Sequence, residues 1–414
     1  MTNSSLDVER IRSLFPSLGP VVGISPAYLD NPGGTQVPRS VINAVVRYYE
    51  TSNANVGGHF ATSQRTVETI DRARAAMASM LNAASKESII FANNMTSATF
   101  HLARSIGDSL RPGDEIIVTD LDHDANIAPW LDLEAQGIVI RVAGINIDDC
   151  TLDVQEVARL LSNRTRLVAV THASNAVGTI PDVAEIVRVA HSAGAQVFVD
   201  AVQYAPHRII DVQALDCDFL VCSAYKFFGP HVGILYAKPG ALEGLRAHRV
   251  RPSPADAPRS WETGTQNHEG IAGVEAAVEY LASVTCGASA TDSSLRDRLV
   301  YSMNSIAIYE KMLCNQLIQG LISLPDVQLY GITDPDRSAE RLCTVACTMK
   351  SHRPAAIAAY LGQSGIYCWS GNYYALKLMQ RLGLEEQGGA VRIGPVHYNT
   401  QEEIDRLIHL LRAM

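Results

Sequence analysis

Through the middle of the chain, short runs of branched and aromatic apolar residues alternate with stretches of helical spacing, and no other feature limits the possible folds as much. The runs fall at residues 88–92, 114–119, 138–143, 166–171, 196–199 and 219–222, with helical periods at 64–81, 154–161 and 181–193. A strand that is apolar on both faces must be covered on both, and parallel neighbours must be joined by a crossover long enough to hold a helix. The pattern therefore predicts an α/β fold with a mostly parallel sheet between helices. In such a sheet, ligands gather beyond the carboxyl ends of the strands.

Two of those ends carry chemistry. The run FLVCSAYKFFGPHVG begins as a buried strand at Phe219 and turns through Ser223 and Tyr225 to Lys226, which two phenylalanines and Gly229-Pro230 follow. An amine held among apolar neighbours is partly desolvated, which disfavours the ammonium form and suits it to attack a carbonyl. In QVFVDAVQYAPH the strand ends in Asp200, with Gln203 three residues on.

Taken together, Ser223, Tyr225, Lys226, Asp200 and Gln203 resemble the pyridoxal-phosphate enzymes of the class V aminotransferase and cysteine desulfurase family, and the resemblance runs nearly end to end. It implies fold type I, with a large cofactor domain over 16–289 and a smaller α+β domain from 1–15 and 290–414. It also implies pyridoxal 5'-phosphate carried on Lys226, with Asp200 against the pyridine nitrogen and Gln203 on the phenolic oxygen. A carboxylate there keeps the ring protonated, so that it can withdraw electrons from a substrate carbanion. His123, in Asp120-Leu121-Asp122-His123-Asp124, becomes the residue stacked on the ring, and the catalytic set is Lys226, His123 and Asp200.

Thr96 and Ser97 stand where the family has its phosphate turn, and a helix N-terminus after Asn93-Asn94 suits an anion through its free N–H groups. Asn175 falls where the family has an asparagine near the cofactor oxygen and the substrate carboxylate, and Arg392 where it has the arginine that grips that carboxylate. Thr265, in Trp261-Glu262-Thr263-Gly264-Thr265, matches a turn that reaches the phosphate of a neighbouring subunit, which implies a homodimer with shared sites. The Asn31-Pro32-Gly33-Gly34 turn lies in the family's substrate-entry segment. Gly57-Gly58-His59-Phe60-Ala61 replaces a segment of its active-site pattern, which implies a roomier or differently shaped pocket with His59 as a substrate contact.

Other readings compete locally. Three carboxylates around His123 could hold a metal, but no second strong nitrogen or sulfur ligand is nearby. Cys217, Cys222, Cys343 and Cys347 lack the short Cys-x-x-Cys loop of a zinc ribbon, and neither cluster is taken as a metal site. With 34 basic against 43 acidic residues the net charge is −9, which argues against nucleic acid or an anionic membrane as partner. No apolar run has membrane-spanning length and the first residues show no apolar signal core, so a cytoplasmic protein with reduced thiols is expected.

The resemblance fails at Cys368-Trp369-Ser370-Gly371-Asn372-Tyr373-Tyr374-Ala375. Desulfurases carry their persulfide cysteine there, and alignment on Gly371 and Ala375 puts Tyr374 in its place as a pocket residue. The expected function is thus β-elimination from an S-substituted cysteine, releasing a thiol or persulfide with pyruvate and ammonia. The alternatives are transamination, epimerisation or racemisation, decarboxylative deamination, and desulfuration through a relocated Cys368. A cofactor-binding regulator without turnover is a more distant one, and no appended DNA-binding module is recognisable.

Overall fold

The computed structural model describes residues 6–19, 26–285 and 293–414. Its strands are β1 (Ala27–Tyr28), β2 (Ile89–Ala92), β3 (Glu115–Thr119), β4 (Val139–Ala143), β5 (Thr165–Thr171), β6 (Gln196–Asp200), β7 (Phe219–Ser223) and β8 (Gly233–Ala237), followed by β9 (Val327–Tyr330), β10 (Val345–Met349), β11 (Ile366–Tyr367), β12 (Trp369–Gly371) and β13 (Ala390–Ile393). Among the described residues the large sheet runs β2-β8-β7-β6-β5-β3-β4. The five strands from β7 to β4 are mutually parallel, while β8 runs antiparallel to both of its neighbours.

Alternation along each strand explains the layering. Ile117, Val197, Val199, Leu220 and Cys222 enter one apolar cluster, whereas Ile116, Val118, Phe198, Phe219 and Val221 enter another. Successive side chains point to opposite faces, so each face carries its own core. Helix Met95–Gly107 supplies Leu102 and Ile106 to the second cluster, and helices Val183–Ser192 and His268–Ser283 supply Ile186, Val274 and Val278 to the first. Gly233, at the start of β8, packs against Asn94: a Cβ there would lie 2.2 Å from the Asn94 carbonyl carbon, so only glycine admits the helix start so close.

The second body is an antiparallel sheet, β12-β13-β10-β9, with a short parallel pair of β1 and β11 beside it. Helix Leu295–Ile322, 28 residues long, belongs to both bodies: Leu299, Met303 and Ile306 join the first cluster, and Leu313, Leu317 and Leu321 a separate one with Val345, Val391 and Leu407. Ile11 and Phe15 lie in the first cluster and Ala27 and Leu29 in the last. The boundary expected at 289–290 lies outside the described residues.

Two further runs with the composition of strands are cut short. The run 366–369 breaks at Cys368, with β11 pairing β1 and β12 pairing β13 in a different sheet. The run 390–397 ends at Ile393, because Gly394 turns to bridge Asp30. The last helix, Gln401–Arg412, has the capping box its sequence announces: Thr400 accepts from the Glu403 amide while Glu403 accepts from that of Thr400.

Candidate active site

Beyond the carboxyl ends of four adjacent strands lies a cavity of about 620 Å³. His123 reaches it from the turn after β3, Asn175 from the turn after β5, Asp200 and Gln203 from the end of β6, and Lys226 with Tyr225 from the turn after β7. Thr96 joins them from the first turn of helix Met95–Gly107. Parallel pairing places the last residues of these strands in one row, since Thr171 registers with Asp200 and Asp200 with Val221. The edge that strand alternation predicts is thus where the reactive side chains meet.

Burial sets the electrostatics of this floor. Desolvation, helped by the Arg392 charge and opposed by Asp30 and Asp200, brings the Lys226 amine down to about 7. Its Nζ donates to the carbonyl of Pro32 and stands 4.8 Å from the centre of the Tyr225 ring. Asp200 is pushed up to about 6 by burial, against a hydrogen bond from the Val202 amide at 2.9 Å. A carboxyl so placed gains from a cationic partner such as a protonated ring nitrogen. Burial also lowers His123 to about 4, with Lys226 and Arg392 adding to the effect, so the ring is neutral near neutrality. Because His123 Nδ1 accepts from the Ala125 amide at 3.0 Å, the ring proton is assigned to Nε2.

One wall comes from the second body. Arg392 on β13 is buried; its Nη2 donates to Asp30 Oδ1 at 2.8 Å, its Nη1 to the Asn175 carbonyl at 3.2 Å, and its guanidinium carbon lies 4.5 Å from the Tyr373 ring centre. The Gly394–Asp30 bridge explains why an acid distant in sequence faces this arginine. Tyr373 and Tyr374 both adopt left-handed backbone, with φ of 54° and 59°. That turn sends Tyr374 over the opening, 72% exposed and stacked on His123 at 5.5 Å, while Trp369 lines the mouth at 58% exposure. Phe100 completes an aromatic rim.

Other residues expected in the site lie elsewhere. Ser97 is outside the cavity lining: Asn94 caps the helix, accepting from the Ser97 amide at 2.8 Å, and the Ser97 hydroxyl turns back to the Asn94 carbonyl. Ser223 is buried and accepts from the Met95 amide at 3.1 Å, which ties that helix start to β7. Thr265 and His59 are exposed and do not line this cavity. The turn bearing Thr265 is nonetheless anchored: Glu262 binds Arg74 at 2.6 Å in a buried pair and accepts from the Phe91 amide. Around His123 the acids diverge, with Asp122 folded inward onto Thr119 and Asn126. Among the described residues no group of three or more His, Cys, Asp or Glu could hold a metal.

Sequence reasoning missed Asp30, Phe100 and Tyr373. An acid directly before the Asn31-Pro32-Gly33-Gly34 turn was a usable signal for Asp30. Phe100 and Tyr373 reach the cavity only through tertiary packing.

The arrangement suits a pyridoxal-type cofactor with an amino-acid ligand. Among the described residues, Asn175 Oδ1 and Arg392 Nε are buried without a hydrogen-bond partner, and a ligand offering one donor and one acceptor, as an α-ammonium and a carboxylate do, would satisfy both. The family model described as Aminotransferase class-V matches residues 27–407, so the chain belongs to the class V aminotransferases, fold-type I enzymes that use pyridoxal phosphate. It is 35% identical to a cysteine desulfurase of Enterobacter sp. (strain 638), over 99% of this chain and 98% of that one. A cysteine desulfurase of Pectobacterium atrosepticum is likewise 35% identical, over 98% and 97%. Among solved structures, the apo cysteine desulfurase from Thermococcus onnurineus NA1 superposes with a TM-score of 0.86 at 26% identity, covering 100% of this chain and 99% of that one. The cysteine desulfurase CsdA (S-sulfonic acid) from Escherichia coli gives 0.84 at 27%, covering 99% of this chain and 98% of that one. Among the described residues no helix is long and apolar enough to cross a membrane.

Proposed function

We propose that the chain is a carbon–sulfur β-lyase acting on an S-substituted cysteine, and that it works as a homodimer in the cytoplasm. The observation that carries the lyase reading is the absence of a thiol from the cavity lining among the described residues. Tyr374 occupies the place that alignment gives the desulfurase cysteine, and a phenol forms no persulfide. Cys368 packs against the second body's core, and burial pushes its thiol up to about 12, so little thiolate exists to attack a substrate sulfur. The aromatic rim of Trp369, Tyr374 and Phe100 gives an apolar S-substituent a surface that free cysteine would not fill.

Lys226, Asp200, Gln203, Asn175 and Thr96 would hold the cofactor, and His123 lines the same cavity. Pyridoxal phosphate, when bound, supplies an electron sink conjugated to the substrate Cα. Arg392, steadied by Asp30, orients the substrate carboxylate. Lys226 Nζ, brought down by burial to about 7, takes the Cα proton. The Cβ–S bond then breaks with its electron pair on sulfur, the thiolate departs and is protonated by solvent, and water converts the remainder to pyruvate and ammonia. Neutral His123, with its proton assigned to Nε2, can donate from above the cavity but cannot hold a fixed charge there. Exposure of Thr265 on a rigidly anchored turn supports its completing a partner's site.

The activity of the relatives favours desulfuration as the second reading. Product analysis separates the two. Cysteine S-conjugates should give pyruvate and ammonia in equal amounts; stoichiometric alanine from cysteine, with a persulfide on Cys368, would overturn the lyase.

A further inference from the structure

Three carboxylates line the cavity, and two of them already have partners. Asp30 binds Arg392, and Asp200 accepts from the Val202 amide. Asp124 is different: among the described residues no hydrogen bond or ion pair engages its carboxylate, and of the neighbouring charges only that of Lys377 acts on it. Lys377 stands outside the cavity lining, on helix Leu376–Arg381. Burial raises the Asp124 carboxyl above its ordinary value, so a cation arriving from the cavity would offset a desolvation that the protein itself leaves standing.

The backbone fixes where this acid stands. Asp124 opens the turn Asp124–Asn126, and its amide donates to the Tyr374 carbonyl at 2.7 Å; the Tyr374 amide donates in turn to Asn372 Oδ1 at 3.0 Å. The first of these bonds joins the turn after β3 to the left-handed turn of the second body, which keeps acid and phenol together in the cavity lining with Trp369. His123, stacked on Tyr374 at 5.5 Å, is lowered by burial to about 4 and brings no positive charge near neutrality. Aromatic faces attract a cation through their quadrupole, and a carboxylate among them makes a site for an organic ammonium rather than for a purely apolar group. With Arg392 on the substrate's own carboxylate and the floor on its reacting carbons, the S-substituent is the part left to meet this acid.

We propose that Asp124, with Trp369 and Tyr374, is a specificity-determining residue that receives a positively charged head on the S-substituent, so that the substrates are cysteines whose sulfur carries an alkylammonium chain. This rests on the lyase reading and narrows it. The chain's carbons lie on the aromatic faces and its terminal cation meets the carboxylate. After cleavage the head leaves with the sulfur as an aminoalkyl thiol, while pyruvate and ammonia form as before.

Two substrates of equal shape test it. S-(2-aminoethyl)-L-cysteine and S-propyl-L-cysteine differ only in ending on an ammonium or a methyl group. The holoenzyme should prefer the first by about tenfold in kcat/KM, read with the two in competition. An equal or greater rate on the second overturns the proposal. Asp124→Asn keeps the side chain's size and the backbone bond to Tyr374 but removes the charge. It should erase the preference while leaving the ratio between S-propyl and S-methyl substrates in place. A loss shared equally by charged and neutral substrates means that Asp124 only supports the turn, and this too overturns the proposal. If Asp124→Asn does not fold, Trp369→Leu takes its place: an apolar side chain without a ring face should lower the aminoethyl-to-propyl ratio by about threefold, and an unchanged ratio counts against the site. Should neither cysteine derivative be cleaved, the lyase reading falls and binding still decides Asp124. L-Lysine and L-2-aminoheptanoate have the same two chain lengths with a methylene in place of sulfur, and so no Cβ–S bond to break. Calorimetry on the holoenzyme should give lysine the lower Kd by about tenfold, with the advantage lost in Asp124→Asn. Equal Kd values, or an advantage that survives the substitution, overturn the proposal.

Discussion

The floor and the rim of the cavity are built on opposite principles. Lys226, Asp200 and Gln203 stand at the ends of adjacent buried strands, are at most 9% exposed, and are tied to backbone or to each other's neighbours. Trp369 and Tyr374 belong to a short edge strand and a left-handed turn of the other body, and face solvent. Regular structure holds the groups that move protons, where a small displacement would be costly. Irregular structure holds the groups that meet the variable part of a substrate, where side-chain size can change without disturbing the sheet. On this view the floor determines the class of reaction and the rim the choice of substrate.

The largest effect expected is at the floor. Lys226→Ala should abolish the long-wavelength absorption of the loaded protein and lower turnover by roughly 10²-fold to 10⁴-fold or more, since both the attachment and the base are lost. Turnover within a factor of ten of wild type would break the comparison at its strongest point. Arg392→Gln comes next, because it couples floor and wall. Loss of a buried, paired guanidinium should cost about 10²-fold in kcat/KM. The charge of Arg392 lowers the Lys226 pKa, so its removal should also move the acid limb of the rate–pH profile to higher pH. The sign follows from the amine: activity appears as pH rises through its pKa, and a higher pKa delays it. A limb that stays in place would show that another group governs it.

At the rim, Tyr374→Ala should leave turnover on the best substrate within a few fold. It should lower the preference for aromatic over methyl S-substituents by about tenfold in kcat/KM, a contrast read from competing substrates. A uniform loss across substrates would place Tyr374 with the floor. The smallest effect is expected at Cys368, where Ser should leave turnover within about twofold, as an unused thiol allows.

How much of this the sequence disclosed differs between the same two regions. The floor was legible because strand periodicity says where each strand ends, and Lys226, Asp200 and Gln203 are the polar residues standing there. Asp30 was not, since it meets Arg392 through the Gly394 bridge, a contact between segments far apart in the chain. The run 366–369 has the composition of one strand, and nothing local reveals that Cys368 separates two sheets. Ser97 illustrates a different failure: Asn94 was in view, yet its capping of the Ser97 amide was not credited. Irregular segments carry no period to read, so the rim, which decides the substrate, stays least visible.

The helix Leu295–Ile322 has one more consequence. At about 1.5 Å per residue its 28 residues span about 42 Å, and its two halves are buried in different cores. Neither body can melt without exposing half of a helix that the other needs, so heating should give one cooperative endotherm, with calorimetric and van't Hoff enthalpies in agreement. Limited proteolysis should likewise release no stable half of the molecule.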